Sequence, residues 1–240
     1  SKRGIEHANY YGSLTQCATT YLGDDIKTGK QVVAPIKGLL PMVDPNDLVI
    51  GGWDISKADM YEATVRARVH EPTMYHQIEK ELKAIHPLPA VFDISFVAPN
   101  QNDRADNVLK GSKKEILEQV REQIRKFKAD NKLEQLIVLW SANTERYCEV
   151  TDGVHDTSAN LLKGIDEGHP EISPSIIYAV ASILEGVPYI NGSPQNTFVP
   201  GLIELAVQHK VPIMGDDFKT GQTKFKTALS DFLISSGLKL

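Results

Sequence analysis

Leu136-Ile137-Val138-Leu139-Trp140 is a continuous apolar run of strand length, and it restricts the fold more than any other feature of the chain. An unbroken run of this kind suits a strand covered on both faces, as in a parallel sheet flanked by helices. The flanking sequence agrees. From Ser112 to about Asp130, Ile116, Leu117, Val120, Ile124 and Phe127 fall on one face at helical spacing, and Lys, Glu and Arg fill the other. Downstream, Asp156-Thr157 begins a short helix. Ser173-Pro174 supplies an N-cap followed by Pro at the first helical position, with Ile176, Ile177, Val180, Ile183 and Leu184 as the apolar stripe up to Gly186. The pattern then predicts a strand at 188–190, a helix at 199–208, a strand at 211–214 and a helix at 223–236. Upstream, Asp47-Leu48-Val49-Ile50 reads as a short buried strand closed by Gly51-Gly52, and Ser56 as the N-cap of a long helical pattern interrupted at Pro72. Residues 91–97, rich in β-branched and aromatic side chains, read as another strand. The predicted class is α/β with a parallel sheet.

Bulk properties exclude several functions. With 240 residues, 41% hydrophobic and 24% charged, the chain can build one large or two small cores. A net charge of -5 offers no general attraction to nucleic acid or acidic membranes, so a phosphate ligand must be held by local donors. Aromatic residues, at 7%, are too scattered for a nucleobase-stacking platform. Cys17 and Cys148 form no CxxC pair, which points to a reducing compartment, and no apolar run approaches the ~20 residues of a membrane helix. A cytoplasmic location is expected. The seven histidines lack zinc-type spacing and no Gly-x-Ser-x-Gly elbow occurs, so neither a metal site nor a hydrolytic triad is predicted. Opening without Met and stopping just after Gly237, the chain is expected to be an excerpt of a longer protein.

In an open parallel sheet, ligands bind beyond the carboxyl ends of the strands, where loops and helix N-termini supply oriented donors. Four segments fall there: Gly51-Gly52-Trp53-Asp54-Ile55-Ser56, Ser141-Ala142-Asn143-Thr144-Glu145-Arg146, Asn191-Gly192-Ser193-Pro194-Gln195-Asn196, and Gly215-Asp216-Asp217-Phe218-Lys219-Thr220-Gly221-Gln222-Thr223. Each has an ordinary structural explanation beside a functional one. Asp54 could accept ribose hydroxyls or close a turn; residues 141–144 could hold a dinucleotide or stabilise their own loop. Gly192 could admit a ligand to the backbone or serve a tight turn. The last segment precedes a helix whose free N–H groups can receive phosphate, but Gly-Gln-Thr is not the Gly-Lys-Ser/Thr of a Walker loop.

Taken in order, these segments, with Asn9-Tyr10-Tyr11-Gly12-Ser13-Leu14-Thr15-Gln16-Cys17, Leu40-Pro41-Met42-Val43 and Ala181-Ser182-Ile183-Leu184-Glu185-Gly186, resemble the eukaryotic myo-inositol-1-phosphate synthases. The resemblance implies a Rossmann-like parallel sheet with part of an α+β catalytic and oligomerisation domain. Residues 1–214 would belong to the NAD-binding domain, without its Gly-rich phosphate loop, and 215–240 would start a truncated catalytic and tetramerisation domain. It further implies NAD as cofactor, glucose 6-phosphate as substrate and a homotetramer. The family's reaction oxidises the sugar at C5, enolises it, closes the ring by an aldol step and returns the hydride. Carried onto this sequence, Asp54 would hold the adenosine ribose, with Val91, Gln101 and Arg104 against the cofactor. Ser141, Ala142, Asn143, Thr144, Gly192 and Ser193 would line the dinucleotide, and Asp217 would stand at its nicotinamide end. Asp217 and Lys219 are the catalytic candidates, and Thr220, Gly221, Gln222 and Thr223 would face the sugar phosphate. Ala90 replaces a usual Ser and Pro99 a usual Ala, while Ser141 and Thr220 each exchange one hydroxyl residue for the other. Since the family's catalytic lysines lie beyond this segment, the chain alone is expected to be inactive. The competing readings are a non-catalytic NAD or sugar-phosphate sensor and a simple NAD dehydrogenase.

Overall fold

The computed structural model describes residues 19–39, 43, 47–218 and 221–238, apart from the side chains of 37 and 221–224. The chain forms two compact units, Ser1–Trp53 with Lys57–Leu88, and Asp54–Ser56 with Pro89–Leu240.

In the first unit, β1 (Thr19–Asp24) and β2 (Gln31–Pro35) pair antiparallel, from Thr19 opposite Pro35 to Asp24 opposite Gln31. Their turn is organised by Asp25, whose carboxylate accepts the Lys27 and Thr28 N–H groups, both at 2.8 Å. A single turn, α1 (Ile36–Leu39), follows. Residues 47–50 do not form the strand expected of them. Leu48, Val49 and Ile50 are exposed by 44%, 44% and 82%, and extended pairing begins only where Leu88 N–H reaches the Gly52 carbonyl at 2.9 Å. A short apolar run becomes a strand only when a neighbour supplies the other half of its ladder, and here the strand is the two-residue β3 (Trp53–Asp54). The helix α2 (Met60–Ala67) is capped by Asp59, which accepts Glu62 N–H at 2.8 Å, rather than by Ser56. Asp59 immediately precedes the first helical residue, whereas Ser56 stands four residues before it, in a turn where its N–H donates to the Asp54 carboxylate at 2.8 Å. The predicted interruption is real: Arg68 takes a left-handed conformation, and Pro72 opens a new turn, α3 (Pro72–Tyr75), before α4 (Glu79–Lys83).

After β4 (Leu88–Pro89), Ala90 of the second unit bridges Val108. The strand expected at 91–97 is absent. The Asp93 carboxylate accepts Ser95 N–H at 2.9 Å and Ser95 Oγ–H at 2.7 Å, closing a 3-10 turn at Ile94–Phe96. A local side-chain acceptor thus outcompetes the ladder despite favourable β-propensity.

From Ser112 onward the predicted order holds. The long helix α5 (Lys113–Asp130) starts in a capping box in which Ser112 and Glu115 satisfy each other's backbone N–H groups, and Ile116, Leu117, Val120 and Ile124 form its buried stripe. Ser112→Ala is expected to lower the unfolding free energy of this unit by about 1 kcal/mol, read as a shift of the urea midpoint with an unchanged slope.

The sheet consists of β5 (Val138–Trp140), β6 (Tyr189–Asn191) and β7 (Ile213–Met214), parallel and in that order. Helices α6 (Ser158–Asp166) and α7 (Pro174–Leu184) lie between β5 and β6 in the chain, α8 (Pro200–His209) lies between β6 and β7, and α9 (Gly221–Ser235) follows. Every residue from Pro174 to Ile183 is buried. A helix apolar on all sides can only be central, and α7 is packed against both α5 and α8. The expectation that β5 is covered on both faces needs correction: Val138 is buried, but Ile137 and Leu139 are 59% and 49% exposed among the described residues. Helices cover one face of β5 here. No helix of the described residues is long and apolar enough to cross a membrane.

Candidate cofactor site

Because β5, β6 and β7 are parallel, the segments that follow them emerge at one sheet edge, and backbone bonds join these segments directly. Gly192 N–H donates to the Trp140 carbonyl at 3.0 Å, Asp217 N–H to the Asn191 carbonyl at 3.2 Å, and Phe218 N–H to the Gly192 carbonyl at 3.2 Å. Side chains reinforce the seam: Ser193 Oγ–H donates to the Ala142 carbonyl at 2.9 Å, and the Asn191 amide donates to the Asp216 carboxylate. Burial pushes the Asp216 carboxyl up, while the Asn191 bond opposes the shift.

Ser141, Ala142, Asn143 and Thr144 are all exposed, so their hydroxyl and amide groups face outward on a loop whose two ends are held. Beside β5, Val91 N–H donates to the Tyr178 hydroxyl at 2.9 Å, and the Tyr178 ring meets Trp140 edge-on, with 5.9 Å between centroids. Burial raises the Tyr178 hydroxyl pKa far above that of an ordinary phenol, against the pull of the Val91 N–H bond. Val91, Tyr178 and Trp140 thus form one group, and among the described residues the Trp140 indole N–H is buried there without a hydrogen-bond partner. An uncommitted buried donor costs free energy unless a ligand or water accepts from it. Together with the exposed 141–144 loop, it gives this edge donors and acceptors of the kind that a nucleotide's hydroxyl and amide groups require.

Not every expected residue joins this group. Gln101 and Arg104 lie on the 3-10 segment Pro99–Arg104, where Gln101 donates to Asn100 at 3.2 Å and Arg104 is exposed. No hydrogen bond or ion pair among the described residues ties either to the sheet-edge loops. Gly192 and Ser193 spend their polar groups on the protein: both Gly192 backbone groups are paired, Ser193 is 6% exposed, and the Phe218 ring fills the space a Gly192 side chain would need. Asp217 is exposed, with φ of 80°, at the turn after β7. Lys219 and Thr220 lie outside the described residues, as do the side chains of Gln222 and Thr223, and Gly221 is the first residue of α9. The motif at 9–17, including Cys17, and residues 40–42 also lie outside them.

Sequence reasoning missed the support beneath the loop. Glu145 is only 2% exposed, and its carboxylate accepts Ser175 Oγ–H at 2.6 Å and Ser175 N–H at 3.1 Å. Burial pushes its pKa up to about 7 against the pull of those bonds. Arg146 turns the other way: it forms a two-pronged pair with Glu171 at 2.9 Å, stacks 4.2 Å from the Phe96 ring centre and donates to the Ser95 carbonyl. Arg146 in turn holds the Glu171 carboxyl down at about 2. The available signal was Ser173-Pro174-Ser175, a helix start able to receive a carboxylate.

A family model described as Myo-inositol-1-phosphate synthase, of the NAD-binding type, matches residues 1–238. The chain is 52% identical over 239 residues to inositol-3-phosphate synthase 1 of Oryza sativa subsp. japonica, covering all of this chain and 47% of that protein. It is equally similar, at 52%, to the inositol-3-phosphate synthase of Dictyostelium discoideum, again over 47% of that protein. A crystal structure of inositol-3-phosphate synthase from Caenorhabditis elegans superposes with a TM-score of 0.91 at 55% identity, over 96% of this chain and 45% of the other. The chain spans about half the length of the curated relatives it matches. It belongs to the myo-inositol-1-phosphate synthase family.

Proposed function

We propose that this chain forms the cofactor-binding part of an enzyme that converts glucose 6-phosphate to 1L-myo-inositol 1-phosphate with NAD, for inositol and phospholipid synthesis. The observation that carries the reading is the convergence of 141–144, 191–193 and 216–218 at one edge of a parallel sheet, in a chain of this family. When bound, NAD would accept a hydride from the sugar and return it, so the net reaction is an isomerisation. The protein's task is to align the reactants and keep them dry. Asp54 is assigned the adenosine ribose, with Val91, Gln101 and Arg104 flanking the nucleotide. Residues Ser141, Ala142, Asn143 and Thr144 would line the dinucleotide, Gly192 and Ser193 would shape its floor, and Asp217 would stand at the nicotinamide end. Asp217 and Lys219 are the catalytic candidates in this segment, and Thr220, Gly221, Gln222 and Thr223 are assigned the sugar phosphate. A domain boundary at 214/215, a homotetramer and a cytoplasmic location belong to the same proposal, in which the segment alone is inactive.

The test is product formation. The full-length protein supplied with glucose 6-phosphate and NAD should yield inositol phosphate without net NADH; accumulation of NADH would make it a dehydrogenase, and no product from folded protein would refute the reading. Asp54→Ala should raise the NAD dissociation constant roughly 10- to 100-fold, the loss of charge-assisted bonds to the ribose.

A further inference from the structure

We propose that Glu145 is a positioning residue for the dinucleotide: through Ser175 it anchors the 141–144 loop to the start of α7, and NAD affinity depends on that anchor. The inference rests on the cofactor reading above and adds a residue that itself need not touch the ligand.

The loop presents four exposed residues in succession, and the next residue is almost wholly buried. Such a loop holds one shape only if its ends are fixed to something that does not move. On one side Ala142 is held by Ser193. On the other, Glu145 binds both the N–H and the hydroxyl of Ser175. Ser175 cannot follow the loop: it lies in the first turn of α7, which is buried throughout and capped by Ser173. Two hydrogen bonds from one residue at a helix start to a buried carboxyl group fix its position and direction.

The same contact reaches the second wall of the site. Ser175 Oγ lies 2.8 Å from Thr197 Oγ1 and 3.1 Å from Ser173 Oγ. A hydroxyl has one proton, and with it given to Glu145, Ser175 Oγ can only accept from Thr197. The orientation of Thr197, at the end of the 191–197 loop, is therefore set by Glu145. A second link runs from Glu145 N–H to the Gln195 side-chain oxygen at 3.4 Å, and Gln195 is itself paired with Asn191 through 3.1 and 3.2 Å bonds. Loss of this anchor should cost affinity by letting the loop sample unproductive shapes, without removing any ligand contact.

The experiment is NAD titration by calorimetry on the purified protein, with thermal melting recorded for every variant. Glu145→Leu should keep a cooperative melt and weaken NAD roughly tenfold or more. Glu145→Gln, whose side-chain oxygen can still accept the Ser175 hydroxyl proton, should keep affinity within about threefold of the parent. Ser175→Ala should match Glu145→Leu, and the double variant should bind no worse than either single one, because both remove the same link. Parent-like affinity in a cooperatively melting Glu145→Leu protein overturns the proposal. If that variant fails to melt cooperatively, Ser175→Ala decides on the same criterion. A parent protein that binds no NAD refutes the cofactor reading itself and the proposal with it, whereas parent binding with indifferent variants refutes the proposal alone.

Discussion

Gly201→Ala is expected to lower the unfolding free energy of the sheet-bearing unit by about 3 kcal/mol, measured by urea denaturation. A methyl group at this position would press into the Thr157 carbonyl oxygen, standing 2.7 Å from its carbon and 3.0 Å from the His155 oxygen. All three atoms are backbone, so no rotamer change relieves the clash. Neither partner can retreat easily. Thr157 is the N-cap of α6, and Gly201 N–H is bonded to the His155 carbonyl at 2.6 Å. Leu202 and Leu205 hold α8 in the core at 0% and 2% exposure. Two other glycines provide the control. At Gly164 the nearest atom, 3.0 Å away, is a Val154 methyl, and at Gly192 the obstacle is the outer edge of the Phe218 ring, a side-chain group that is 46% exposed. Alanine at either site should cost about 1 kcal/mol or less. Equal losses at Gly164, Gly192 and Gly201 would show that the close packing of α8 on the Thr157 turn is not what restricts this position.

The second unit was legible from Ser112 onward because its helices carry their instructions locally. Ser112 with Glu115, Thr157, and Ser173 with Pro174 mark starts that the backbone obeys, and the apolar stripes of α5 and α7 mark what is buried. The failures occurred where local preference and lateral pairing disagree. Residues 47–50 and 91–97 have strand composition, but a strand needs a neighbour, and in the second case Asp93 offers Ser95 a closer partner. Leu139 is exposed against expectation for a related reason. An apolar run reveals what could be covered on both sides, and only the assembled sheet reveals which side is.

The candidate site divides along similar lines. Loops after parallel strands are found from topology, so 141–144, 191–193 and 217 were identifiable as positions, and their order and wording carried the family resemblance. Pairings across long separations were not identifiable: Glu145 meets Ser175 thirty residues on, and Ser175 meets Thr197 a further 22 on. At Gly192 the sequence left a turn and an approach to ligand open. The structure fills the space beside it with Phe218, a residue whose proximity no spacing rule announces.

The buried carboxylate also makes stability depend on pH in an unusual direction. An ordinary glutamate sits near 4.5, whereas folded Glu145 is pushed up to about 7 by burial. Between these values the native protein binds the proton that the unfolded chain has released, so this group's contribution to stability falls as pH rises from about 4.5 through 7. The difference corresponds to about 3 kcal/mol at pH 8. Among the described residues no facing group cancels it: Asp93 raises the Glu145 pKa further, Cys148, Tyr178 and Tyr189 around it are neutral or themselves pushed up, and the neighbouring Arg146 is taken by Glu171. Two other groups act in the opposite sense. Glu171, held at about 2 chiefly by Arg146, loses its contribution as pH falls below its ordinary range. His155, lowered chiefly by burial, loses stability as pH falls below the ordinary histidine value. Whole-protein curves therefore mix the three, and the comparison that isolates Glu145 is with Glu145→Gln, whose amide does not titrate. Urea unfolding of both proteins at pH 5, 6, 7 and 8 should show Glu145→Gln gaining on the parent by about 2.5 kcal/mol across the series, most steeply below pH 7 and levelling above it. Parallel curves would mean that the carboxylate stays ionised in the folded state, and that the bonds from Ser175 outweigh the cost of its burial.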